Sequence, residues 1–334
     1  MKGKKLKEYV FFLTAILLAI WTILPMVQPP EATAASERIH LKMGGSNTGS
    51  FMYMFSAVMV DLWKRNIPDL DITLMATAGS GANHLPLDRG EFEIATSNTP
   101  GDWWAMKGMY LTTTKLSNFC SLFPVSTAFH HALTYADAPI KGWKDMDGKR
   151  VNLGARASSG SIAMEEHFKA LNIQPKYIFS LPTEAADMIK DRRIDAFAYG
   201  VGAPYSVFID IARALPVKLI LMTPEEQEKV VKAVPFLFPL TIPAKTYSFQ
   251  NEDCPTVGAY ANIIVRSTLS EELVYKLTKV AWENWNEVLK VVPAVKGVSP
   301  KDMVNMVAPI HPGGVKYYRE IGINISDRLI WKKS

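Results

Sequence analysis

Three times in this 334-residue chain a short apolar run ends in a loop rich in glycine, serine or asparagine, and helical spacing of apolar residues begins directly after it. The loops are Met43-Gly-Gly-Ser-Asn-Thr-Gly-Ser50, Thr77-Ala-Gly-Ser-Gly-Ala-Asn83 and Gly154-Ala-Arg-Ala-Ser-Ser-Gly-Ser161. A strand that turns tightly into a helix must return over its own sheet, so repetition of the unit implies an α/β fold with mainly parallel strands. Loops at the same end of parallel strands converge on one crevice, the usual place for a small ligand in such folds.

The rest of the chain keeps the alternation. Strand patterns cover Ile39–Met43, Asp71–Ala76, Ile94–Asn98, Thr127–Tyr135, Arg150–Leu153, Lys176–Ser180, Asp195–Tyr199, Val217–Met222 and Thr256–Val265. Helical spacing covers Thr48–Lys64, Asn83–Arg89, Ser161–Leu171, Thr183–Arg192, Tyr205–Ala214, Pro224–Ala233, Ser270–Leu289 with Ser270 as N-cap, and Gly314–Ile321. Turn-rich segments at Leu122–Val125 and Phe236–Thr256 divide the chain, so residues 35–124 and 255–334 are expected to form one lobe and 125–254 a second. A hinge is expected near Phe123–Ser126 and Cys254–Gly258.

Residues 1–34 read as an export address. Lys2, Lys4, Lys5 and Lys7 precede the apolar run Val10–Leu24, and Ala32 and Ala34 fit the small subsites of a signal peptidase. Cleavage after Ala34 or Ala35 would release the protein into the periplasm; an uncleaved anchor is the alternative. Removing this segment's four Lys and two Glu from the chain's 37 Lys+Arg and 32 Asp+Glu leaves 33 against 30. That small excess gives no reason to expect a nucleic-acid partner. Two cysteines, Cys120 and Cys254, are too few for a disulfide scaffold, but in an oxidising compartment they would be free to bridge.

The loops offer N–H and hydroxyl donors with no strong acid or base among them, which suits holding a carboxylate rather than breaking a bond. Candidate ligand contacts are Asn47, Thr48, Ser50, Gly79, Ser80, Asn83, Asn98, Arg156, Ser158, Ser159, Ser161 and Tyr247. Arg156 is the expected anchor, because a guanidinium engages both carboxylate oxygens. The first loop lacks the Gly-Lys-Ser/Thr of a P-loop and the G-x-G-x-x-G of a dinucleotide site. Trp103-Trp104 reads either as the wall of an apolar pocket or as helix packing. The enzymatic alternative is a serine hydrolase using Ser80 in Ala78-Gly-Ser80-Gly-Ala82 with His311 and an aspartate. His130 and His131 point to opposite faces of a strand; His84, His167 and His311 stand alone in sequence, with no metal-ligand spacing. No cofactor and no metal are expected.

Taken in order, several stretches resemble the TAXI subgroup of solute receptors of TRAP (tripartite ATP-independent periplasmic) transporters. They are Gly45-Ser-Asn-Thr-Gly-Ser-Phe51, Ala78-Gly-Ser-Gly-Ala-Asn83, Gly90-Glu-Phe-Glu-Ile-Ala95, Gly148-Lys-Arg-Val-Asn-Leu-Gly154, Ser159-Gly-Ser161, Ile194-Asp-Ala-Phe197 and Ala244-Lys-Thr-Tyr247. The most specific is His311-Pro-Gly-Gly-Val-Lys-Tyr-Tyr-Arg-Glu-Ile-Gly322. The resemblance implies a two-lobed, type II periplasmic-binding-protein-like α/β fold with a ligand cleft between the lobes. It also implies hinge closure and delivery of a small organic acid to an integral-membrane TRAP permease. Phe51-Met52 stand where that family carries two tyrosines, Asn98 where it has glutamine, and Arg192-Arg193 where it has a glycine. The expected ligand is therefore a small organic anion with an apolar or aromatic body. A membrane-anchored sensory module binding the same ligand is the third alternative.

Overall fold

The structure, a computed structural model, describes residues 38–110, 112–156 and 158–332. The export segment read at residues 1–34 lies outside them. The chain opens with β1 (Ile39–Gly44), α1 (Phe51–Asn66), β2 (Leu70–Met75), α2 (His84–Arg89), β3 (Ile94–Asn98) and α3 (Thr99–Lys107). The long strand β4 (Phe119–Tyr135) follows. Then come β5 (Arg150–Asn152), α4 (Ser159–Leu171), β6 (Lys176–Ile178), α5 (Pro182–Lys190), β7 (Ala196–Val201), α6 (Ser206–Ala214), β8 (Val217–Leu219), α7 (Pro224–Ala233) and β9 (Phe238–Ile242). A second long strand, β10 (Cys254–Arg266), leads to α8 (Glu271–Glu283), α9 (Trp285–Val291) and α10 (Pro312–Glu320). No helix of the described residues is long and apolar enough to cross a membrane.

The strands pair in the order β2-β1-β3-β10-β4-β7-β5-β6, with β8 on β4 and β9 on β10. The two wings are parallel: β1 with β2 and β3, and β5 with β6 and β7. Between them β10 runs antiparallel to β3, β4 and β9, and β4 runs antiparallel to β7 and β8. The sheet is therefore mixed rather than mainly parallel. The physical reason is that β4 and β10 are long connecting strands, not steps in a strand–helix–strand repeat. Seventeen residues of β4 span about 56 Å at about 3.3 Å each, enough to run through both wings.

Each wing has its own packing. Phe55, Trp63, Phe123, Leu277, Trp282 and Tyr318 lie in a buried cluster around β1, α1, α8 and α10. Trp143, Met164, Phe168, Ile220 and Phe236 anchor a second, and Phe197, Phe208, Ile211 and Tyr247 a third. In the first, the Phe123 ring meets those of Phe55, Trp63, Trp282 and Trp285 at 6.0–6.5 Å between centroids, the edge-to-face range for aromatic pairs.

Three expectations are corrected here. Leu122–Val125 is strand interior, not a turn. Pro124 lies opposite Asn262, and the β4/β10 register shifts between Ala261 and Asn262; an irregularity is where a central strand tolerates proline, which lacks the ladder N–H. Phe236–Thr256 is turn-rich at 243–253 as expected, but β9 and the start of β10 flank that turn. Cys120 and Cys254 are free and buried. Cys120 pairs with Val265, eleven residues along β10 from Cys254, a separation of about 36 Å in an extended strand. The helix expected over Ser270–Leu289 is capped at Ser270 as expected but breaks at Asn284, whose side-chain amide bonds the Val280 carbonyl at 2.9 Å. The helix α3 was not foreseen, although Asn98 and Pro100 carry its start signal.

Candidate functional site

The ends of β1, β2 and β3 are tied together before any ligand is considered. Asn83 is fully buried, and its side-chain amide donates to the Gly45 carbonyl at 2.8 Å and the Thr96 carbonyl at 2.9 Å. Thr77 donates through its hydroxyl to the Gly45 carbonyl and through its N–H to the Ser46 carbonyl. Gly44 is held against Phe92, where a Cβ would overlap the ring. Asn83, expected to touch ligand, thus organises the loops from behind. Gly79 adopts φ 128°, a conformation open to glycine and strained for other residues.

Beyond these loops lies a cavity of about 30 Å³. Gly81 borders it from the second loop, Asn98, Gly101, Trp104 and Ala105 from β3 and α3, and Met109 and Thr112 from the chain after α3. Ser159, the first residue of α4, closes it from the other wing. Asn98 caps α3 by accepting from the Gly101 N–H at 2.7 Å. Of the two tryptophans, Trp104 is buried and packs on Tyr110 and Phe236, whereas Trp103 lies under the Lys107 ammonium at 4.6 Å. The Trp104 indole N–H and the Thr112 hydroxyl are buried and have no hydrogen-bond partner among the described residues.

The cavity's remaining neighbour is His84, which the sequence left alone. Its Nε2 lies 2.8 Å from Asp102 Oδ1 and 2.9 Å from Ser97 Oγ. The Ser97 hydroxyl donates to the same carboxylate oxygen, and the Asn262 amide donates to the other at 2.8 Å. All four side chains are buried. A buried carboxylate is tolerable with such a donor set and costs several kcal/mol without it. Ser97, His84 and Asp102 are the residue types of a hydrolytic triad in a different arrangement. Serine and aspartate meet the same ring nitrogen, and the serine hydroxyl donates to the carboxylate instead of to a base. His311 is also unavailable to Ser80. Its Nδ1 accepts from the Gly313 N–H and its Nε2 meets the Leu269 carbonyl, so it serves as the N-cap of α10.

The other candidates separate by role. Ser50 and Ser158 cap α1 and α4, and the Ser161 hydroxyl donates back to the Ser158 carbonyl. Asn47 and Thr48 are exposed, and Ser80 is half-buried beside Gly81. Arg156 is exposed with its guanidinium 4.0 Å over the Phe179 ring, and it does not border the cavity. Tyr247 does not border it either. It is 1% exposed, its hydroxyl accepts from the Tyr205 N–H at 2.9 Å, and it lies 2.8 Å from His131 Nε2.

Three histidines in the second wing form buried contacts. His130 and His131 do face opposite sides of β4, but His167 is not alone. Its ring stacks on His130, with Nδ1 atoms 3.4 Å apart, and on Trp143 at 4.2 Å. Burial, with the neighbouring His131 adding to it, pushes His130 down to about 3. Burial pushes His131 down to about 4 against the Phe129 carbonyl, which raises it. Burial, with His130 beside it, holds His167 well below the ordinary histidine range. Among the described residues no group of three or more His, Cys, Asp and Glu is placed to hold a metal ion.

Comparison with known proteins adds the fold's kinship. A family model described as the NMT1-like family matches residues 43–322. Among solved structures, a TctC solute-binding protein from Polaromonas is 15% identical, with 80% of this chain and 91% of that one covered at a TM-score of 0.54. The fold is that of the type II periplasmic solute-binding proteins. Weaker likenesses include MatC from Rhodopseudomonas palustris with bound malate, 13% identical over 80% of this chain and 92% of that one at a TM-score of 0.48. Another is the periplasmic aliphatic sulphonate binding protein SsuA from Escherichia coli, 11% identical over 87% and 97% at 0.47.

Proposed function

The chain belongs to the NMT1-like family, and from that premise we propose that it is an extracytoplasmic receptor that captures a small organic anion and delivers it to a TRAP-type membrane permease. Within that class the ordered motifs from Gly45 to Gly322 favour the TAXI subgroup. The observation that carries the reading is the cavity itself: Gly81, Asn98 and Gly101 border it from one wing and Ser159 from the other, so a ligand there touches both. A ligand gripped from two sides stabilises the closed arrangement by its differential contacts, which is how such receptors signal occupancy. The donors on the wall suit an anion, and Trp104, Ala105 and Met109 suit an apolar body beside it. Residues 35–124 with 255–334 and residues 125–254 would be the two lobes. Pro124 opposite Asn262 would be the bend in the connecting strands, since the ladder is already irregular there. The basic and apolar order of residues 2–24 supports export to the periplasm.

Native mass spectrometry of the protein purified from its export compartment tests the reading. A small organic acid released unchanged on denaturation is the expected result. Absence of any bound acid, together with no heat of binding for acetate, malate, 2-oxoglutarate, glutamate or benzoate, would remove it; so would chemical conversion of any of them.

A further inference from the structure

We propose that the cavity beside α3 seats the carboxylate of the receptor's ligand against Nδ1 of His84, and that Asp102 is the positioning residue that turns that nitrogen toward it. The inference rests on the receptor reading for the ligand's class, but its test does not need the physiological ligand. Asp102 presents acceptors to the ring, so the hydrogen on His84 lies on Nε2, shared between Asp102 Oδ1 at 2.8 Å and Ser97 Oγ at 2.9 Å. The ring is wedged by Phe119, edge-on at 5.3 Å. The hydrogen bonds of the ring run through Nε2, and His84 borders the cavity while being 1% exposed.

Two polar groups on the same wall are buried without a partner among the described residues. Trp104 is 4% and Thr112 8% exposed, and the indole N–H and the hydroxyl have no partner among the described residues. A buried donor without a partner is destabilising, and native structures keep few of them. Two partnerless donors and the His84 ring around one small space point to a shared partner. A carboxylate offers about four lone-pair directions on two oxygens. It also fits: about 30 Å³ corresponds to roughly two waters, the size of a carboxylate head and far less than a whole organic acid. The body would extend past Gly81 and Ser159. Arg156, exposed and stacked on Phe179, is placed outside this space.

The proton balance is simple. The acid enters as its anion with one proton from solvent, the proton settles on Nδ1, and both ring nitrogens then donate, one to Asp102 and one to the ligand. The groups that meet the ring and its carboxylate are Asp102 on α3, Ser97 on β3, Phe119 on β4 and Asn262 on β10, and Asp102 is the charged one among them.

The experiment uses the full chain labelled with ¹⁵N in its histidine rings, titrated with sodium acetate and, as the control anion, sodium chloride. Two-bond proton–nitrogen spectra should show one histidine whose Nδ1 moves from the bare toward the protonated position and saturates with acetate, while its Nε2 stays protonated. That response should vanish in His84→Gln. In Asp102→Asn the acetate affinity should fall roughly tenfold or more, the scale of losing one charge-assisted hydrogen bond. Because either variant could disturb the buried network, Thr112→Val and Trp104→Phe each remove one wall donor and should weaken acetate about three- to tenfold without lowering the melting temperature. No responding histidine, a response that survives His84→Gln, or full acetate affinity in both wall variants overturns the proposal. Equal response to chloride also overturns it, leaving a general small-anion site. Loss of affinity in Arg156→Ala with none in the wall variants would return the anchor to Arg156. If acetate behaves as expected while no organic acid is recovered from the native protein, the subsite stands and the receptor reading falls.

Discussion

Acidification from pH 7.5 to pH 5 should remove much of the protein's stability through His130, His131 and His167. Each is buried with its neutral form favoured: His130 is pushed down to about 3, His131 to about 4, and His167 well below the ordinary 6.5. The unfolded chain takes up a proton at each as pH passes 6.5, whereas the folded chain does not until near 3–4. The stabilisation is therefore fully present above pH 6.5 and is lost as pH falls from there toward the folded values. At pH 5 the gap of about 1.5 units below 6.5 is worth about 2 kcal/mol per histidine, at about 1.4 kcal/mol per unit. Three such groups give about 6 kcal/mol as an upper figure, comparable with the whole stability of a typical domain. The contacts explain the resistance to charging. The His131 Nδ1 is engaged with the Phe129 carbonyl, so its Nε2 is the acceptor for Tyr247, and a second proton there would break that bond. A second proton on whichever of His130 and His167 accepts from the other would set two N–H groups facing each other at 3.4 Å. Carboxylates held low by their partners, such as Asp71 by Lys64 and Asp195 by Arg150, unload below pH 4, outside this window. Urea unfolding followed by tryptophan fluorescence at both pH values measures the loss. His167→Gln should be less stable at pH 7.5 but should lose about 2 kcal/mol less than the native sequence on going to pH 5. Equal losses in the two proteins would refute the argument.

Gly313→Ala should cost about 3 kcal/mol in urea unfolding, because a Cβ there would overlap the Glu271 carbonyl where α10 crosses α8; an unchanged midpoint would show that the helices can separate cheaply. Phe123→Ala should cost about 3–5 kcal/mol by emptying the centre of the first aromatic cluster, measured the same way, with a loss under about 1 kcal/mol counting against that packing. Burial pushes both thiols up, Cys254 to about 12. The native protein should therefore resist iodoacetamide at pH 8 while the denatured chain yields two free thiols without reductant; a bridge would appear as none. Tyr110 donates to Glu166 at 2.9 Å, linking the chain after α3 to α4. Tyr110→Phe should expand the ligand-free protein slightly in small-angle scattering with under about 1 kcal/mol lost in stability, and identical scattering would mean that this contact does not hold the two sides together.

Local chemistry was legible where a few neighbouring residues decide the outcome. Ile94–Asn98 and Pro224–Ala233 fall where the pattern put them, and a Thr-Pro-Glu-Glu start marks the second. Ser270 caps its helix as expected, while Ser50 and Ser158, expected to touch ligand, cap helices as well. The most family-like stretch, His311–Gly322, turns out to be architecture. His311 caps α10, Gly313 admits α8, and the Tyr318 hydroxyl donates to the Leu122 carbonyl while accepting from Trp282. Its residue types are demanding for packing reasons, so a motif's specificity said nothing about whether it touches ligand.

The sequence by itself determined the α/β class, the glycine turns and the caps, since backbone conformation and hydrophobic period depend on residues within about one helical turn of each other. Only tertiary structure decided the sheet's mixed order and the membership of the site. Pro124 reads locally as a break, yet it sits in a strand because Asn262, from a segment 138 residues away, supplies an irregular partner. His84, Ser97, Asp102 and Asn262 come from α2, β3, α3 and β10, and nothing in their spacing says that one carboxylate will collect three donors. A buried charge selects its partners by direction and distance in the folded interior, where their positions along the chain no longer matter.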